Sequence, residues 1–383
     1  MVRVLLLLSF STTLACNRPV PFVVAPAAPE SDARLIARDR GVAYLLAKQS
    51  ADGAWRSDVY GHHRNGDALA PLVLVALQQV PQSSEINAAI ERGIAFMRRY
   101  LKGDTIDADA TMHYPVYTAS LMAKVLSDPR QAKHLKTRDV WVKLLLDWQM
   151  TDENGWEEKD WQFGGWGYAA VRPRKPGDGP IPEALEANIS ATAYATEALR
   201  AAGLDGKQPV FGKAMIFVNR CQNFATDRPE LDDGGFFFTP GDLFRNKAGL
   251  SSKPDEKPRY FSYGSATADG RRCFHACSTA NKRLQQLEIW FDRYFPVPLE
   301  GQTFNHHGHF AEDRAPDRNA ASYYYAASFI EGSADRDFSE RCRWVQTEIA
   351  KRQRDDGSWQ NERSTVREDD PLLATTLAVM ALR

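Results

Sequence analysis

Two kinds of segment alternate along the chain, and both have helical periodicity. The first kind is amphipathic: in the stretch 35–49, Val42 and Leu45 share one helical face and the charged residues lie on the others. The second kind is apolar on every side, as in 69–80 and 372–382. A helix that is apolar all round must be buried all round. The pattern therefore predicts amphipathic helices packed outside a layer of inner, apolar helices.

A short recurring loop joins the two kinds of segment. The strings AKQSADGAWRSD (47–58) and KRQRDDGSWQNE (351–362) share a glutamine, an Asp-Gly turn, a small residue and a tryptophan. Looser copies occupy 145–169 and 217–240. We expect the glutamine to end the outer helix, the glycine to supply a left-handed residue, and the aromatic ring to fold back onto the helix ends. Four such loops in register with paired helices indicate a repeat protein.

The repeats can be counted once two degenerate copies without the full loop are included. We expect Trp55, Trp156 and Trp359 in equivalent, mostly buried loop positions. The leading helices are predicted near Arg34, Ser84, Arg138, Val210, Leu284 and Ser339. Six helix pairs can close into a ring that needs no capping repeat. The sequence thus predicts an all-α fold, an (α/α)6 toroid with a double ring of about twelve helices over residues 34–383.

The N-terminal residues predict an export signal and a tether before the toroid. Residues 1–16 contain Arg3, an apolar run and small residues before Cys16, and they are too short to span a bilayer as a helix. Their end resembles a bacterial lipoprotein cleavage site with Cys16 as the lipidated residue; an ordinary secretory signal is the alternative. Residues 17–33 have the Pro/Ala content of an extended tether. We therefore expect a bacterial envelope protein bound to the membrane through a lipid anchor, or else a soluble secreted one.

Composition narrows the classes of partner. The formal net charge is −1 and 43% of the residues are hydrophobic, which is ordinary for a globular protein. A charge so close to zero gives no general attraction for nucleic acid, and no nucleic-acid partner is predicted. Five cysteines are too few for a disulfide scaffold at 383 residues.

Several motifs together resemble a known superfamily. The motifs are RCQN (220–223), DDGGFFF (232–238), SYGSATADG (262–270), YYY (323–325), DGSW (356–359) and EDDPLLATTLAVMAL (368–382). They are similar to those of the prenyltransferase and squalene-oxidase repeat proteins, which include squalene-hopene cyclases and protein prenyltransferase beta chains, and most of all to an exported bacterial subgroup. The resemblance covers 34–383 and implies an (α/α)6 toroid with its ligand site at the mouth or middle of the inner ring. It implies a fold more strongly than a function, because one fold carries unrelated activities.

Cyclases of this superfamily protonate an alkene or epoxide with an aspartic acid from an Asp-x-Asp-Asp motif, above a cavity of aromatic faces. The nearest string here, Asp107 to Ala110, contains Asp109 but lacks the fourth carboxylate. The pair Asp232-Asp233 belongs to a repeat loop, and Asp370 directly precedes the last inner helix, where a carboxylate complements the helix dipole. Turn and capping roles are therefore favoured for these acids.

The resemblance to protein prenyltransferases raises the question of zinc, which those enzymes hold with Asp, Cys and His. The matching inner helix contains Asp269, Cys273, His275 and Cys277, but the close Asp-x-Cys pair is absent, and buried core cysteines are favoured. A second ligand-rich cluster consists of His306, His307 and His309, for which a surface loop is favoured over a metal site. No cofactor is predicted, and zinc is left open without support.

A candidate ligand site follows from the starts of the inner helices, which carry polar and aromatic residues and would converge on one mouth if the ring closes. The candidate ligand-binding residues are His113, Tyr117, Asn188, Tyr194, Tyr263, Ser265, Asp269, Tyr323, Tyr324 and Asp370. Asp269 is the best candidate acid because it lies inside an inner helix, with the tyrosines as cation-stabilising faces and hydroxyl partners. The alternative is that these residues only pack the ring centre.

Two functions remain open at this point. The first is a binding role, in which the toroid holds an apolar, glycan or peptide ligand without a recognisable catalytic motif. The second is an enzyme, a terpenoid cyclase or prenyltransferase acting on an isoprenoid substrate. The absent acid motif, the absent zinc triad and the export signal favour the binding role.

Overall fold

The computed structural model describes residues 30–177, 181–241, 245–246, 248–253, 255–278, 280–294, 322–333, 340–361 and 367–383. The predicted signal segment 1–16 with Cys16, most of the predicted tether, and the histidines at 306, 307 and 309 lie outside these residues. The first helix begins at Glu30, four residues before the predicted start of the toroid at Arg34.

Twelve α-helices and one small hairpin make up the regular structure of the described residues. In chain order the helices are α1 (Glu30–Ala47), α2 (Leu69–Gln78), α3 (Ser84–Met97), α4 (Pro115–Leu126), α5 (Leu135–Asp147), α6 (Ile189–Ala201), α7 (Pro209–Arg220), α8 (Gly264–Ala276), α9 (Lys282–Tyr294), α10 (Ser322–Glu331), α11 (Glu340–Lys351) and α12 (Pro371–Ala381). Strands β1 (Leu101–Lys102) and β2 (Thr105–Ile106) pair antiparallel between α3 and α4. Short 3-10 segments occupy Gly61–His63, Arg98–Tyr100, Pro129–His134, Asp152–Asn154, Glu183–Leu185 and Pro229–Leu231.

The even-numbered helices form an inner ring and the odd-numbered helices an outer one. Each inner helix packs against the next, and α12 returns to pack against α2, so the inner ring is closed. Every residue of α2 except the last is buried, as its unbroken apolar sequence requires. In α1, Val42 and Leu45 are buried and Leu35 is exposed. The predicted (α/α)6 toroid of twelve helices is confirmed.

The recurring glutamine links four of the six repeats to the next one. In four loops its side-chain amide nitrogen donates to the carbonyl of the loop glycine and to a backbone carbonyl of the following outer helix. The four glutamines and their neighbouring-helix acceptors are Gln49 to Ala89, Gln149 to Val210, Gln222 to Arg283 and Gln353 to Ala37, at 2.7–2.9 Å. The last of these bonds joins the end of the chain to α1. Ring closure therefore uses the same hydrogen bond that joins repeats inside the ring.

The loop glycine has the conformation expected for it. Gly357 has a φ of 84°, and a Cβ there would lie 2.8 Å from the carbonyl oxygen of Arg40 in α1. The equivalent residues Gly53, Gly164 and Gly234 also have positive φ. Only glycine combines a left-handed backbone with this close approach at little cost. The glycine therefore lets each loop sit directly on the neighbouring outer helix.

The buried aromatic residue of the loop folds back as predicted, but one assignment is wrong. The indole Nε1 atoms of Trp55, Trp166 and Trp359 donate to carbonyls near the end of the preceding outer helix, at 2.7–2.8 Å. Trp156 is buried as expected, yet its Nε1 donates to Pro173 instead, and Trp166 takes the equivalent position. The loop between α5 and α6 is longer, and its Gly-Gly-Trp sequence at 164–166 reproduces the Gly-small-aromatic spacing of the other copies.

Among the described residues there is no helix with the length and apolar content that crossing a bilayer requires.

Candidate functional site

The inner ring surrounds a cavity of about 720 Å³. Its wall is built from the first two turns of the inner helices and from the segments that precede them. Aliphatic contacts come from α2, α4 and α12, namely Leu69, Leu72, Leu121, Leu373 and Leu377. Aromatic contacts come from Tyr114, Tyr117, Tyr168, Tyr194, Tyr263 and Tyr324, together with Phe238 and His63. The cavity is therefore apolar and aromatic, with hydroxyl groups spaced around it.

The tyrosines pack on one another along one side of the cavity. Tyr117 is stacked on Tyr168, with ring centroids 5.7 Å apart and an interplanar angle of 16°, and lies 5.1 Å from the ring of Tyr194. Burial raises the pKa of all three phenols above its ordinary value. Their hydroxyls are thus protonated at neutral pH and can donate or accept hydrogen bonds.

Asp269 lies at the deep end of the cavity and is 2% exposed. Its Oδ1 accepts hydrogen bonds from Ser328 Oγ at 2.6 Å and from Arg272 Nη1 at 2.9 Å. Its Oδ2 accepts from the Tyr324 hydroxyl at 2.8 Å, and that hydroxyl is 2.5 Å from Ser190 Oγ. Burial raises the pKa of Asp269, while Arg272 and the two hydroxyl donors act in the opposite direction. The site thus contains one enclosed carboxyl group linked by hydroxyls to the cavity wall.

Arg272 joins the carboxyl group of Asp269 to a second carboxylate. Besides Asp269, it binds Glu197 through Nε and Nη2, each at 2.8 Å, in the two-pronged geometry that guanidinium and carboxylate favour. Its guanidinium carbon also lies 4.5 Å from the ring centroid of Tyr194. The Arg272 side chain is 3% exposed, so its charge is balanced almost entirely by protein groups.

Further ion pairs close the end of the ring opposite the cavity mouth. Lys124 pairs with Glu331 and lies 3.6 Å from Glu197, and Arg383 pairs with Glu331 at 2.5 Å. Burial alone raises the pKa of Glu331, but Lys124 and Arg383 outweigh it and hold the pKa well below its usual range. These groups lie near the C-terminal ends of the inner helices, whereas the residues of the cavity wall lie in the first two turns of those helices and in the segments before them.

Two arginines lie at the mouth. Arg245 pairs with Glu183 at 2.5 Å, and its guanidinium carbon is 5.3 Å from the ring centroid of Tyr168. Arg367 donates to the hydroxyl of Tyr114 at 2.6 Å. Both line the cavity. The entrance is therefore cationic in part, whereas the interior is apolar.

Six of the ten predicted ligand-binding residues lie in the cavity wall. They are Tyr117, Tyr194, Tyr263, Ser265, Asp269 and Tyr324. Of the tyrosines expected near Asp269, Tyr324 donates to its carboxyl group and Tyr263, the residue before α8, lines the same cavity, whereas Tyr323 is not in the cavity wall. Because consecutive helical residues diverge by about 100°, Tyr323 and Tyr324 cannot both face the ring centre.

The other four predicted residues lie outside the cavity wall. Asn188 and Asp370 are N-caps: their side chains accept from the backbone nitrogens of Ala191 and Leu372, at 2.8 and 2.9 Å. His113 is held by Asp67, which accepts from its backbone nitrogen at 2.7 Å and lies 3.3 Å from its Nδ1. Tyr323 is buried, and its backbone nitrogen donates to Glu368 at 3.2 Å.

The residues that sequence reasoning missed are mostly on loops. Tyr168, Phe238, Arg245 and Arg367 belong to connecting segments, where no helical pattern shows which way a side chain points. Tyr168 lies two residues after Trp166, the aromatic residue of its loop. The repeat therefore does contain a sequence signal for the cavity wall, because the residues just after the loop aromatic cross the ring centre. Phe238 has the same offset from Phe236, the aromatic residue of the loop between α7 and α8.

The structure also shows where the alternative acids and the candidate zinc ligands of α8 lie. Asp109 is exposed, and Asp233 accepts from Gly235 in its own loop, which agrees with the predicted turn role. Cys273 and Cys277 are buried, and burial raises the pKa of both thiols, to about 12 for Cys277. His275 is exposed on the same helix. No group of three or more His, Cys, Asp or Glu side chains within the described ranges is placed to hold a metal ion.

Comparisons with known proteins support the fold. A type II terpene cyclase, MstE from Scytonema, solved with its product merosterolic acid A, is 12% identical with a TM-score of 0.57, covering 92% of this chain and 97% of that one. A D-mannose isomerase is 14% identical with a TM-score of 0.57, covering 94% and 99%. The alpha-1,6-mannanase GH76A of Salegentibacter is 10% identical with a TM-score of 0.53, covering 92% and 98%.

No protein-family model matches the chain, and no curated protein matches it either. The similar structures are α/α toroids with different activities, and at these identities they show the fold alone. The chain is therefore an α/α toroid protein, and its function has to be argued from its own cavity.

Proposed function

We propose that the protein binds a ligand with an apolar or aromatic body in the central cavity. The observation that carries this proposal is the 720 Å³ enclosure lined by six tyrosines and five leucines. Small-molecule sites usually occupy about 300–1,000 Å³ and combine apolar walls with a few fixed polar groups. Tyrosine rings offer broad contact to isoprenoid chains, aromatic rings or the apolar faces of sugars, and their hydroxyls can orient such a ligand.

In the same proposal, the toroid is held at a bacterial envelope by a lipid on Cys16. The support is the sequence of residues 1–16, with its basic residue, apolar run and small residues before the cysteine. The Pro/Ala-rich segment that follows would let the cavity stand away from the membrane surface. An exported location favours capture of a ligand over use of cytoplasmic isoprenoid diphosphates.

Binding in the cavity can be tested with phenylnaphthylamine, a neutral aromatic probe that becomes fluorescent in apolar surroundings. We expect saturable binding to the wild type and at least about tenfold weaker binding to an Ala68→Trp variant, because the indole fills space at the cavity wall. Ala51→Trp adds the same group at an exposed loop position and serves as the control. Equal binding by all three proteins, with equal thermal stability, would place the probe elsewhere and contradict the proposal.

A second candidate function is proton-initiated cyclisation of an isoprenoid, and Asp269 favours it. This carboxyl is enclosed at the deep end of an aromatic cavity, and burial raises its pKa. Such an acid can donate a proton to an alkene, ring closure then forms a carbon–carbon bond, and loss of a proton gives a product isomeric with the substrate. Tyrosine faces would stabilise the intermediate cation.

The enzyme candidate predicts a specific loss of turnover. Geranylgeranyl dihydroxybenzoate, the substrate present in a structure of MstE, is a suitable test compound. If the protein is a cyclase, Asp269→Asn should abolish conversion to an isomeric product, followed by mass spectrometry and chromatographic retention, and should leave probe binding unchanged. If neither the wild type nor the variant converts the compound while both bind phenylnaphthylamine, the binding role stands and the cyclase does not.

A further inference from the structure

Arg367 is held at the cavity mouth in an unusual way. Its φ is 65°, in the left-handed region that residues with a side chain rarely adopt. Its guanidinium carbon lies 5.6 Å from the ring centroid of Tyr60 and 5.7 Å from that of Tyr114. Its Nη1 donates to the Tyr114 hydroxyl. Backbone strain of this kind persists where the surrounding structure holds a side chain in one place, and it is frequent at ligand sites.

These contacts fix the guanidinium without neutralising it. Aromatic faces and a phenol hydroxyl attract a cation but carry no full negative charge. Within the described residues, no carboxylate oxygen lies within 4.0 Å of Arg367, whereas Arg245 at the same mouth pairs with Glu183. A guanidinium has five N–H donors, and one of them is used by the contacts described. Arg367 can therefore still offer a two-pronged contact to an oxyanion.

His63 adds a second, independent observation. It lines the cavity, is 6% exposed, and shares the Tyr114 ring with Arg367, at 6.2 Å between centroids. Among the described residues its Nδ1 is buried without a hydrogen-bond partner, which is the kind of polar atom that a bound ligand can satisfy. Burial, with help from nearby positive groups, lowers the pKa of His63 to about 3. The ring is thus neutral at physiological pH and can donate one hydrogen bond without adding charge.

The carboxylates near the mouth already accept hydrogen bonds from other groups of the protein. Asp67 holds His113, and Glu368 accepts from the backbone nitrogens of Tyr323 and Tyr324 at 3.2 and 2.8 Å. Asp369 accepts from the Tyr60 hydroxyl at 2.6 Å. These carboxylates accept hydrogen bonds from backbone and phenol donors. Within the described ranges none of them forms an ion pair with Arg367.

We propose that the cavity mouth binds the anionic group of the ligand, a carboxylate, sulfonate or phosphate, between Arg367 and His63. The ligand class is then an anionic amphiphile, whose apolar body lies among the tyrosines and whose charged head stays at the entrance. This inference rests on the proposed cavity binding and specifies the chemistry of its ligand.

Two probes with the same ring system test the proposal. Anilinonaphthalene sulfonate is phenylnaphthylamine with one added sulfonate group, so the ratio of their dissociation constants isolates the contribution of the anion. We expect the wild type to bind the sulfonate about tenfold more tightly than the neutral probe, since a hydrogen bond to a charged group is typically worth that much. The protein's formal net charge of −1 gives the sulfonate no general advantage.

In Arg367→Gln the affinity for the sulfonate should fall about tenfold more than the affinity for the neutral probe, so that the preference for the sulfonate is lost. Arg367→Lys, which keeps the charge but loses the planar fork, should retain part of the preference. Arg354→Gln is the matched control, because it removes an arginine from a loop of the same repeat without lining the cavity.

The outcomes separate this inference from the proposed function. If phenylnaphthylamine binds and Ala68→Trp weakens it, but the sulfonate is not preferred or Arg367→Gln leaves the ratio unchanged, the anion site is wrong and the cavity proposal stands. If Ala68→Trp weakens neither probe, the cavity proposal itself fails. Loss of neutral-probe binding in Arg367→Gln, with a lowered melting temperature, would also count against a specific role in anion recognition.

Discussion

Replacing Trp359 by alanine is expected to lower the free energy of unfolding by about 3–5 kcal/mol, measured by urea denaturation followed by circular dichroism. The indole is 0% exposed, and its Nε1 donates to the carbonyl of Ile349 at 2.7 Å. Its ring also packs against Gly41 of α1, where the last repeat meets the first. The substitution therefore creates a cavity at the junction that closes the ring, and partial collapse there would loosen the contact between α1 and α12.

Two other tryptophan variants serve as references for the loss of stability in Trp359→Ala. Trp161 is 51% exposed, and Trp161→Ala should change stability by no more than about 0.5 kcal/mol. Trp359→Phe should be milder than Trp359→Ala, because Phe236 occupies the equivalent position in the loop between α7 and α8 without an indole nitrogen. If Trp359→Ala costs no more than Trp161→Ala, the loop aromatic does not contribute to holding the ring together.

The repeat pattern predicted the fold because it depends on short-range chemistry. A glutamine, a left-handed glycine and an aromatic residue in fixed order specify a loop, and the two kinds of hydrophobic pattern specify which helix of each pair lies inside. The one error, Trp156 for Trp166, came from matching an Asn-Gly-Trp string that lies earlier in a longer loop. The Gly-small-aromatic spacing was the better guide. In each copy the glycine that contacts the next outer helix is followed by one small residue and then by the buried aromatic residue.

The residues of the candidate site could be predicted only where helical geometry determines the direction of a side chain. Tyr117, Tyr194 and Asp269 lie one or two turns into inner helices and face the ring centre. Asn188 and Asp370 stand directly before such helices, where polar side chains cap backbone nitrogens instead of entering a cavity. Sequence patterns alone do not distinguish these two uses of a polar residue at the start of a helix.

The mouth of the cavity was beyond sequence reasoning for a different reason. Tyr168, Arg245 and Arg367 reach it from three separate connecting segments. Their direction depends on how those segments cross the ring, and loop conformation depends on long-range contacts that no local periodicity records. The mouth, where we propose that the anionic group of the ligand binds, was therefore the part least visible in the sequence.

Replacing Arg272 by methionine is expected to cost about 3–5 kcal/mol, because it removes the shared partner of the buried carboxyl group of Asp269 and the partly buried one of Glu197. Arg272 makes one contact to Asp269 and two to Glu197, and its side chain is 3% exposed. Methionine keeps most of the volume, so the loss is chiefly electrostatic. Arg130→Met is the control: this arginine pairs with Asp128 at the surface, where such a pair contributes about 0–1 kcal/mol.

The pH dependence of Arg272→Met distinguishes lost charge from lost packing. Without the guanidinium, burial raises the pKa of Asp269 further, since Arg272 is the largest influence that lowers it. A carboxyl whose pKa is higher in the folded than in the unfolded state adds stability below its unfolded pKa, about 3.9, and that stability is lost as the pH rises through the folded pKa. The cost of the substitution should therefore be larger at pH 8 than at pH 5. A cost that does not change with pH would mean that Arg272 acts by packing against Tyr194 and not by balancing the buried carboxylates.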